Sequence, residues 1–233
     1  MTLNRVVVTG YGVTSPIGNT PEEFWDSLKA GKIGIGPLTK FDTSEYNVHI
    51  AAEIKDFPFD KYFVKKDNNR YDPYSLYALY AAHESVANAG LDTEKLDSDR
   101  FGVILSTGIG GIKEIEEQVE RMNDKGPKRI RPMALPKALP NMAAGNIAMA
   151  VGANGVCKCV ITACASSNDA LGDAYREIKF GYQDVMLAGG AEAAITPFAI
   201  GGFQALTALS TTEDPARASI PFDKDRNGFV MGE

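Results

Sequence analysis

The sequence predicts an α/β fold with a largely parallel sheet. Apolar strand-like runs begin at Val6, Phe101, Cys159 and Val185, and stretches with helical spacing of apolar residues separate them. Strands that alternate with helices in this way favour a parallel sheet with helices packed on its faces. The chain shows no strong internal repeat, low-complexity tract or linker.

The amino-terminal part contains one predicted strand and two predicted helices. In chain order the elements are a strand at Val6–Val8, a helix from Pro21 to Leu28 with Thr20 as N-cap, an irregular surface segment at 32–60, and a helix from Ser75 to Ala89. The β-branched run favours a strand that the following glycine turn ends. Proline at the first helical position and Gly90 after the second helix are typical helix boundaries.

The remaining elements alternate regularly between strand and helix. They are a strand at Phe101–Leu105, a glycine-rich loop at 106–111, an acidic helix at about 112–122, a helix of small residues at Met142–Val151, a strand beginning near Cys157, a helix that follows Cys164, and a strand at Val185–Gly190. In the helix after Cys164, Ala170, Ala174 and Ile178 share one stripe, and Gly181 can end it.

Cys164 lies where an apolar strand turns into a helix, with only small residues around it. A helix N-terminus favours a thiolate, and its unpaired amides can also hold the oxyanion that forms when a thiolate attacks a carbonyl. The position therefore predicts a nucleophile. Burial without a catalytic role is the alternative for any single cysteine.

The other two cysteines favour burial rather than chemistry. Cys157 and Cys159 are two residues apart on a strand, so they share one face, and we expect them to be buried. The spacing of the cysteines lacks the usual paired ligands of a zinc site, and His49 and His83 lie far away in the sequence.

Composition excludes several classes of function. The chain has 233 residues, 44% of them hydrophobic and 23% charged, which is ordinary for a globular protein. A net charge of −6 argues against general nucleic-acid binding. No run is long and apolar enough to cross a membrane, and the amino terminus does not resemble a signal peptide. Three clustered cysteines do not suggest a disulfide framework, so we expect a cytoplasmic protein.

Several segments, in order, resemble the β-ketoacyl-acyl-carrier-protein synthases of the thiolase-like superfamily. The segments are Val6–Gly12, Gly108–Gly111, Thr162–Ser167, Asp184–Glu192, Ala208–Ser210 and Pro221–Phe229. The resemblance is strongest to the type II elongating synthases of bacterial fatty acid synthesis. It implies the amino-terminal half of a duplicated α-β-α-β-α fold, with residues 1–233 as one synthase domain truncated before the carboxy-terminal half.

The resemblance implies a decarboxylating Claisen condensation. Cys164 would take an acyl chain from an acyl carrier protein as a thioester and would supply a backbone oxyanion donor. Malonyl-carrier protein would then lose carbon dioxide, and its carbanion would attack the thioester. The family's two catalytic histidines match neither His49 nor His83, so we expect these residues alone not to condense. The resemblance implies no cofactor and a homodimer.

The same resemblance implies further site residues. Ile109, Ala163 and Phe203 would line the acyl site, where each buried methylene contributes about 0.8 kcal/mol. Two basic clusters, Lys65, Lys66 and Arg70 in one and Lys128, Arg129 and Arg131 in the other, would bind an acidic carrier protein. The alternative for Ile109 and Phe203 is plain core packing, and for the basic clusters ordinary surface charge. Thr207 stands where relatives often have a third basic contact.

Two other readings of the whole chain stay open: a thiolase acting on coenzyme A thioesters, and a non-catalytic subunit that binds carrier protein or a partner. Two local motifs are weaker. Asp223–Gly228 is similar to half a calcium loop but lacks a preceding helical pattern, and Gly10–Ser15 lacks the third glycine of a dinucleotide loop. Both are predicted to be structural turns.

Overall fold

The computed structural model describes residues 3–233. Its α-helices are α1 (Pro21–Lys29), α2 (Pro73–Asn88), α3 (Ile112–Lys125), α4 (Ala134–Ala138), α5 (Met142–Val151), α6 (Ser166–Lys179) and α7 (Pro197–Ala205). Its strands are β1 (Gly36–Pro37), β2 (Ile50–Ala51), β3 (Phe101–Ser106), β4 (Cys157–Val160) and β5 (Val185–Gly190). The predicted helices and the last three predicted strands are confirmed, with boundaries shifted by a few residues.

The chain divides into two compact units. The larger contains the described residues up to Gly12 together with Asp60–Glu192, and the smaller contains Val13–Phe59 and Ala193–Glu233. Within the larger unit, β4, β3 and β5 form a parallel sheet in that order. The α/β class with a parallel sheet is therefore confirmed.

The sheet is built around β3, whose six residues are all buried. Ile104 contacts Ala170 and Ala174 of α6, so the small-residue stripe of that helix lies against the sheet. Small side chains allow the helix to approach the strands closely, which explains why alanines rather than larger residues occupy the stripe. Helix α5 also packs on β3 and β4.

The register places three strand ends at one edge of the sheet. Ser106, the last residue of β3, pairs with Val160 of β4 and with Gly190 of β5. Because all three strands are parallel, the segments that follow them leave the sheet together. The carboxyl edge of such a sheet is where α/β proteins usually bind their ligands.

The predicted strand at Val6–Val8 is wrong. These residues form no strand with any described residue, and Val7 and Val8 are exposed. A β-branched run favours extended backbone, but a strand also requires a neighbouring strand edge. The glycines that follow have a packing role instead: a Cβ at Gly12 would come within 3.0 Å of the Ala81 carbonyl oxygen of α2.

The predicted surface segment at 32–60 is partly buried, which corrects a second expectation. It contains the short antiparallel pair β1 and β2, with Pro37 opposite Ile50. Val48, Ile50 and Ala51 are buried. Turn-forming residues set the irregular backbone here, but several apolar side chains between them are still buried.

One buried carboxylate joins two helices of the larger unit. Asp72 is the N-cap of α2 and accepts from the Tyr74 backbone N–H (3.3 Å) and from the Glu114 N–H in the first turn of α3 (3.2 Å). Glu114 is also buried and forms an ion pair with Lys137 of α4 (2.5 Å). Asp72 thereby joins α2 to α3, and Glu114 joins α3 to α4.

This carboxylate makes stability depend on pH. Burial raises the pKa of Asp72 from 3.8 to about 6, against the opposing effect of its two backbone hydrogen bonds. Because the folded state then binds a proton more tightly than the unfolded state, stability falls as pH rises through this range. Relative to Asp72→Asn, the free energy of unfolding of the unaltered chain should fall by about 2.5 kcal/mol between about pH 4 and about pH 7. Urea unfolding at several pH values measures the difference; parallel pH profiles would contradict it.

Candidate active site

Cys164 lies in the turn that links β4 to α6. A 3-10 turn covers Ala163–Ala165, and α6 begins at Ser166. Cys164 is exposed. The predicted strand-to-helix location and the accessibility of the sulfur are thus both present, and the thiol lies immediately before the N-cap, Ala165.

The turn is held by the Ser166 side chain, which is buried. Its hydroxyl accepts from the Thr162 backbone N–H (2.8 Å) and donates to the Ala163 carbonyl oxygen (2.6 Å). Ala163 has a positive φ of 52°. For a residue other than glycine this backbone conformation costs about 1–2 kcal/mol, and such strain is concentrated at functional turns.

The start of α6 offers backbone donors. The N-cap residue, Ala165, has no polar side chain and makes no capping hydrogen bond. The neighbouring Ser166 hydroxyl is used within the preceding turn. The first amides of a helix have no partner inside the helix, and they carry the positive end of its dipole. In this turn the Ala165 N–H donates to the Thr162 carbonyl oxygen (3.2 Å) and the Ser166 N–H to that of Ala163, so these two amides are already used. The positive end of the helix dipole still favours a negatively charged oxygen near Cys164.

The other two cysteines lie on β4 and not in the turn. Cys157 is exposed and Cys159 is half-buried, so the prediction that both are buried is wrong. Among the described strands β4 forms one border of the sheet, which leaves its side chains less covered than those of β3. Burial raises the pKa of the Cys159 thiol, while a hydrogen bond with the Thr107 backbone acts in the opposite direction. Cys159 is therefore poorly suited to be the nucleophile.

The loop 107–111 leaves the same sheet edge as Cys164 and carries Ile109, whose side chain is 37% exposed. Sequence reasoning missed the residue that holds this loop, which is Glu192. Its carboxylate accepts from the backbone N–H groups of Gly108 (2.6 Å) and Ile109 (3.2 Å) and from the Thr107 hydroxyl (3.1 Å). The signal available in the sequence was the position of Glu192, an acidic residue two positions after the end of the strand Val185–Gly190.

Phe203 lies in α7, within the smaller unit. It is half-buried, and its ring meets the Phe229 ring edge to face at a centroid distance of 5.5 Å. Its role in lining an acyl site stays a prediction, as do those of Ile109 and Ala163.

Both basic clusters lie on short 3-10 turns of the larger unit. Lys65 and Lys66 belong to the turn Lys65–Asn69, which Arg70 follows, and Lys128 and Arg129 belong to the turn Pro127–Arg129. All five side chains are exposed, as a docking surface requires. Arg131 forms an ion pair with Glu117 (3.1 Å).

The two histidines serve local packing and hydrogen bonding. The His83 ring stacks on Tyr62 at 4.7 Å, and burial lowers its pKa. His49 Nδ1 lies 3.1 Å from the Thr43 hydroxyl oxygen. The packed His83 matches the interpretation of the sequence.

The calcium-like loop is held by an arginine. The Arg217 guanidinium lies 3.4 Å from Asp223 and 3.6 Å from Asp225. A hydrogen bond from the Asp225 backbone lowers the pKa of Asp223, and the nearby Arg217 guanidinium lowers it further. Within residues 3–233, no group of three or more His, Cys, Asp and Glu side chains could hold a metal ion.

The match to known proteins covers nearly the whole chain. The model of the family described as β-ketoacyl synthase, N-terminal domain, matches residues 3–233. The chain belongs to the β-ketoacyl synthase family. It is 45% identical over 230 residues to 3-oxoacyl-[acyl-carrier-protein] synthase 2 of Synechocystis sp. (strain ATCC 27184 / PCC 6803 / Kazusa), covering 98% of this chain and 55% of that relative. The protein of the same name from Staphylococcus aureus (strain COL) is 42% identical over 229 residues, covering 98% and 55%.

Solved synthases share the fold. A chain from the complex AntDE:AntF, titled a type II PKS acyl-carrier protein with its ketosynthase bound to the hexaketide, matches with a TM-score of 0.84 and 32% identity. The match covers 98% of this synthase chain and 56% of that one. The chain thus spans about half the length of the synthases it matches. None of its described helices is long and apolar enough to span a membrane.

Proposed function

We propose that this chain is the nucleophile-bearing part of a type II β-ketoacyl-acyl-carrier-protein synthase of fatty acid elongation. The observation that carries the proposal is the exposed thiol of Cys164 in a strained turn at the start of α6. In the first step the Cys164 sulfur attacks the carbonyl of an acyl-carrier thioester. The carrier leaves with its thiol, and the acyl chain stays on Cys164.

The second step extends the chain. Malonyl-carrier protein loses carbon dioxide, and the resulting carbanion attacks the Cys164 thioester, which releases the thiolate and a 3-oxoacyl-carrier product. The Cys164 backbone amide is the proposed oxyanion donor in both attacks, since such donors stabilise the charge that develops on a carbonyl oxygen. Splitting the reaction around a covalent intermediate predicts ping-pong kinetics.

The proposal extends to the assembly and its location. Ile109, Ala163 and Phe203 line the acyl site, and the two basic clusters bind the carrier. The enzyme works as a cytoplasmic homodimer without a cofactor. The family's catalytic histidines match neither His49 nor His83, so residues 1–233 alone load an acyl chain but do not condense it.

Peptide mass spectrometry tests the loading step. The purified chain is mixed with an acyl-carrier thioester and then digested with trypsin. Cleavage after Lys158 leaves Cys159 and Cys164 on one peptide, so fragment ions of residues 159–176 must locate the adduct. An acyl group on Cys164 supports the proposal. An adduct on Cys159 alone, or none at all, overturns it, and a 3-oxoacyl product would refute the claim that these residues cannot condense.

A thiolase acting on coenzyme A thioesters remains the second candidate. The exposed basic clusters favour the synthase, because a carrier protein offers a broad acidic surface that coenzyme A lacks. The presence of Cys164 argues against a non-catalytic subunit. Loading from acyl-coenzyme A that is faster than loading from the matched carrier thioester would favour the thiolase.

Charge reversal at the clusters tests carrier docking. The double change Lys66→Glu with Lys128→Glu should raise the KM for carrier-bound donors at least about tenfold at low salt, and the effect should shrink as salt is added. A small thioester donor should be affected less than about twofold, because it makes no contact with the clusters. The control is the double change Lys32→Glu with Lys224→Glu. It alters the net charge by the same amount as the test pair, but at exposed lysines outside both clusters. An equal rise in KM with the control pair would contradict docking at the clusters.

A further inference from the structure

We propose that Glu192 is a positioning residue that fixes the Ile109 backbone and thereby sets which acyl chain lengths Cys164 accepts. The inference rests on the proposed function, since it takes Ile109 as part of the acyl site. It concerns a residue that does not touch the reacting atoms. Glu192 acts through the loop 107–111.

The carboxylate of Glu192 accepts three of the hydrogen bonds that this loop donates. It accepts from Gly108 N–H (2.6 Å), Ile109 N–H (3.2 Å) and the Thr107 hydroxyl (3.1 Å). The Thr107 oxygen in turn accepts from the Gly110 N–H (3.0 Å). Hydrogen bonds to an ionised acceptor are about twice as strong as neutral ones, so this set holds the loop more firmly than ordinary turn contacts would.

Packing alone does not fix Ile109. Its side chain is 37% exposed, so contacts with neighbours cover only part of it. The far end of the loop is fastened separately, where the Gly111 N–H donates to the Ala138 carbonyl oxygen (3.1 Å). Between these points the position of Ile109 depends on its own amide and that of Gly108, which both bind Glu192.

Gly108 leaves space for the Glu192 carboxylate because it has no side chain. A Cβ at this position would lie 2.7 Å from Glu192 Oε2. The absence of a side chain at residue 108 therefore lets the carboxylate reach two successive amides. A residue that lines a substrate site discriminates between chain lengths only if it is held in place, because a mobile wall yields to a longer chain.

Two variants and two measurements test the inference. Glu192→Ala removes all three acceptor contacts, whereas Glu192→Gln keeps one oxygen for the amides and loses the charge. The first measurement is hydrogen exchange at the Gly108 and Ile109 amides. The second is the ratio of Cys164 acylation rates with butanoyl and hexadecanoyl carrier thioesters. The control is Asp184→Asn, which breaks the ion pair with Arg100 (2.6 Å) at the opposite end of β5.

We expect Glu192→Ala to speed exchange of both amides by about tenfold or more and to bring the rate ratio at least about threefold closer to one. Glu192→Gln should restore part of both effects, and Asp184→Asn should change neither. If Glu192→Ala does not fold, two milder variants provide the same test. Glu192→Gln weakens the contact from the carboxylate side, and Thr107→Ala removes the hydroxyl donor on the loop side.

The outcomes separate the inference from the proposed function. Faster exchange with an unchanged rate ratio overturns the selectivity role of Glu192 while leaving acyl loading intact. Unchanged exchange overturns the positioning role itself. A rate ratio of one in the unaltered chain overturns the assignment of Ile109 as a selective wall. Absence of any Cys164 adduct in the unaltered chain overturns the proposed function, whatever the amides show.

Discussion

Replacing Cys164 with alanine is expected to abolish acyl transfer, with the rate of adduct formation falling at least about a thousandfold. No other described group stands in the same position, at the start of α6 beyond a parallel strand. The side chain is exposed, so its removal leaves no cavity and should change the free energy of unfolding by less than about 0.5 kcal/mol. The measurement is the rate of thioester formation, followed by intact-protein mass spectrometry.

The other cysteines supply matched controls for this experiment. Cys157→Ser and Cys159→Ser each remove a thiol from β4, four or more residues before the turn begins at Ala163, and should retain acyl transfer within about threefold. Cys157 is the sharper control because it is also exposed. Retention of acyl transfer in Cys164→Ala, or its loss in Cys157→Ser, would show that the nucleophile has been misassigned.

Gly190→Ala is expected to disrupt the sheet edge that supports the Cys164 turn. A Cβ at Gly190 would come within 3.0 Å of the hydroxyl oxygens of Ser106 and Ser167. Ser106 is fully buried, and its hydroxyl donates to the Gly189 carbonyl oxygen (3.1 Å), so it has little room to move. Overpacking of this kind costs about 1–3 kcal/mol, and displacement of the first turn of α6 should also slow acyl transfer. Urea unfolding and the acylation rate measure the two effects.

The neighbouring glycine is the control for this change. A Cβ at Gly189 would meet nothing within 4 Å, so Gly189→Ala adds the same methyl group to β5 without a clash. Adding Ser167→Ala to Gly190→Ala removes one of the two overlapping oxygens and should recover part of the lost stability. Equal destabilisation by the two glycine changes would mean that backbone effects, not the overlap, set the cost.

Local patterns in the sequence predict most of the larger unit. The helices have clear starts and ends, such as the Thr20 cap of α1 and the positive φ of Gly90 (62°) after α2. Strands β3 and β5 are apolar runs that end in serine and glycine, and a parallel sheet follows from the alternation of strands with helices. The turn at Cys164 could be predicted because strand, small residues and helix are adjacent in the chain.

The failures have a common physical origin, which is contact between distant residues. Val6–Val8 has the composition of a strand, but no described strand lies beside it, and Cys157 is exposed because β4 borders the sheet. Glu192 binds Gly108 across 84 positions of sequence. Asp72 likewise binds Glu114 across 42 positions. Composition shows that a carboxylate is present, but only the fold decides which amides it meets.

The shared strand register has a consequence for how such an enzyme can diversify. Ser106, Val160 and Gly190 bring three separate loops to one edge. Each loop has a different proposed role: it lines the acyl site, carries the nucleophile or positions the first loop. If these proposed roles hold, a substitution in one loop changes substrate preference without moving the Cys164 sulfur. Natural selection or protein engineering can then change the length of the product by substitutions in loop 107–111, without changing the residues around Cys164.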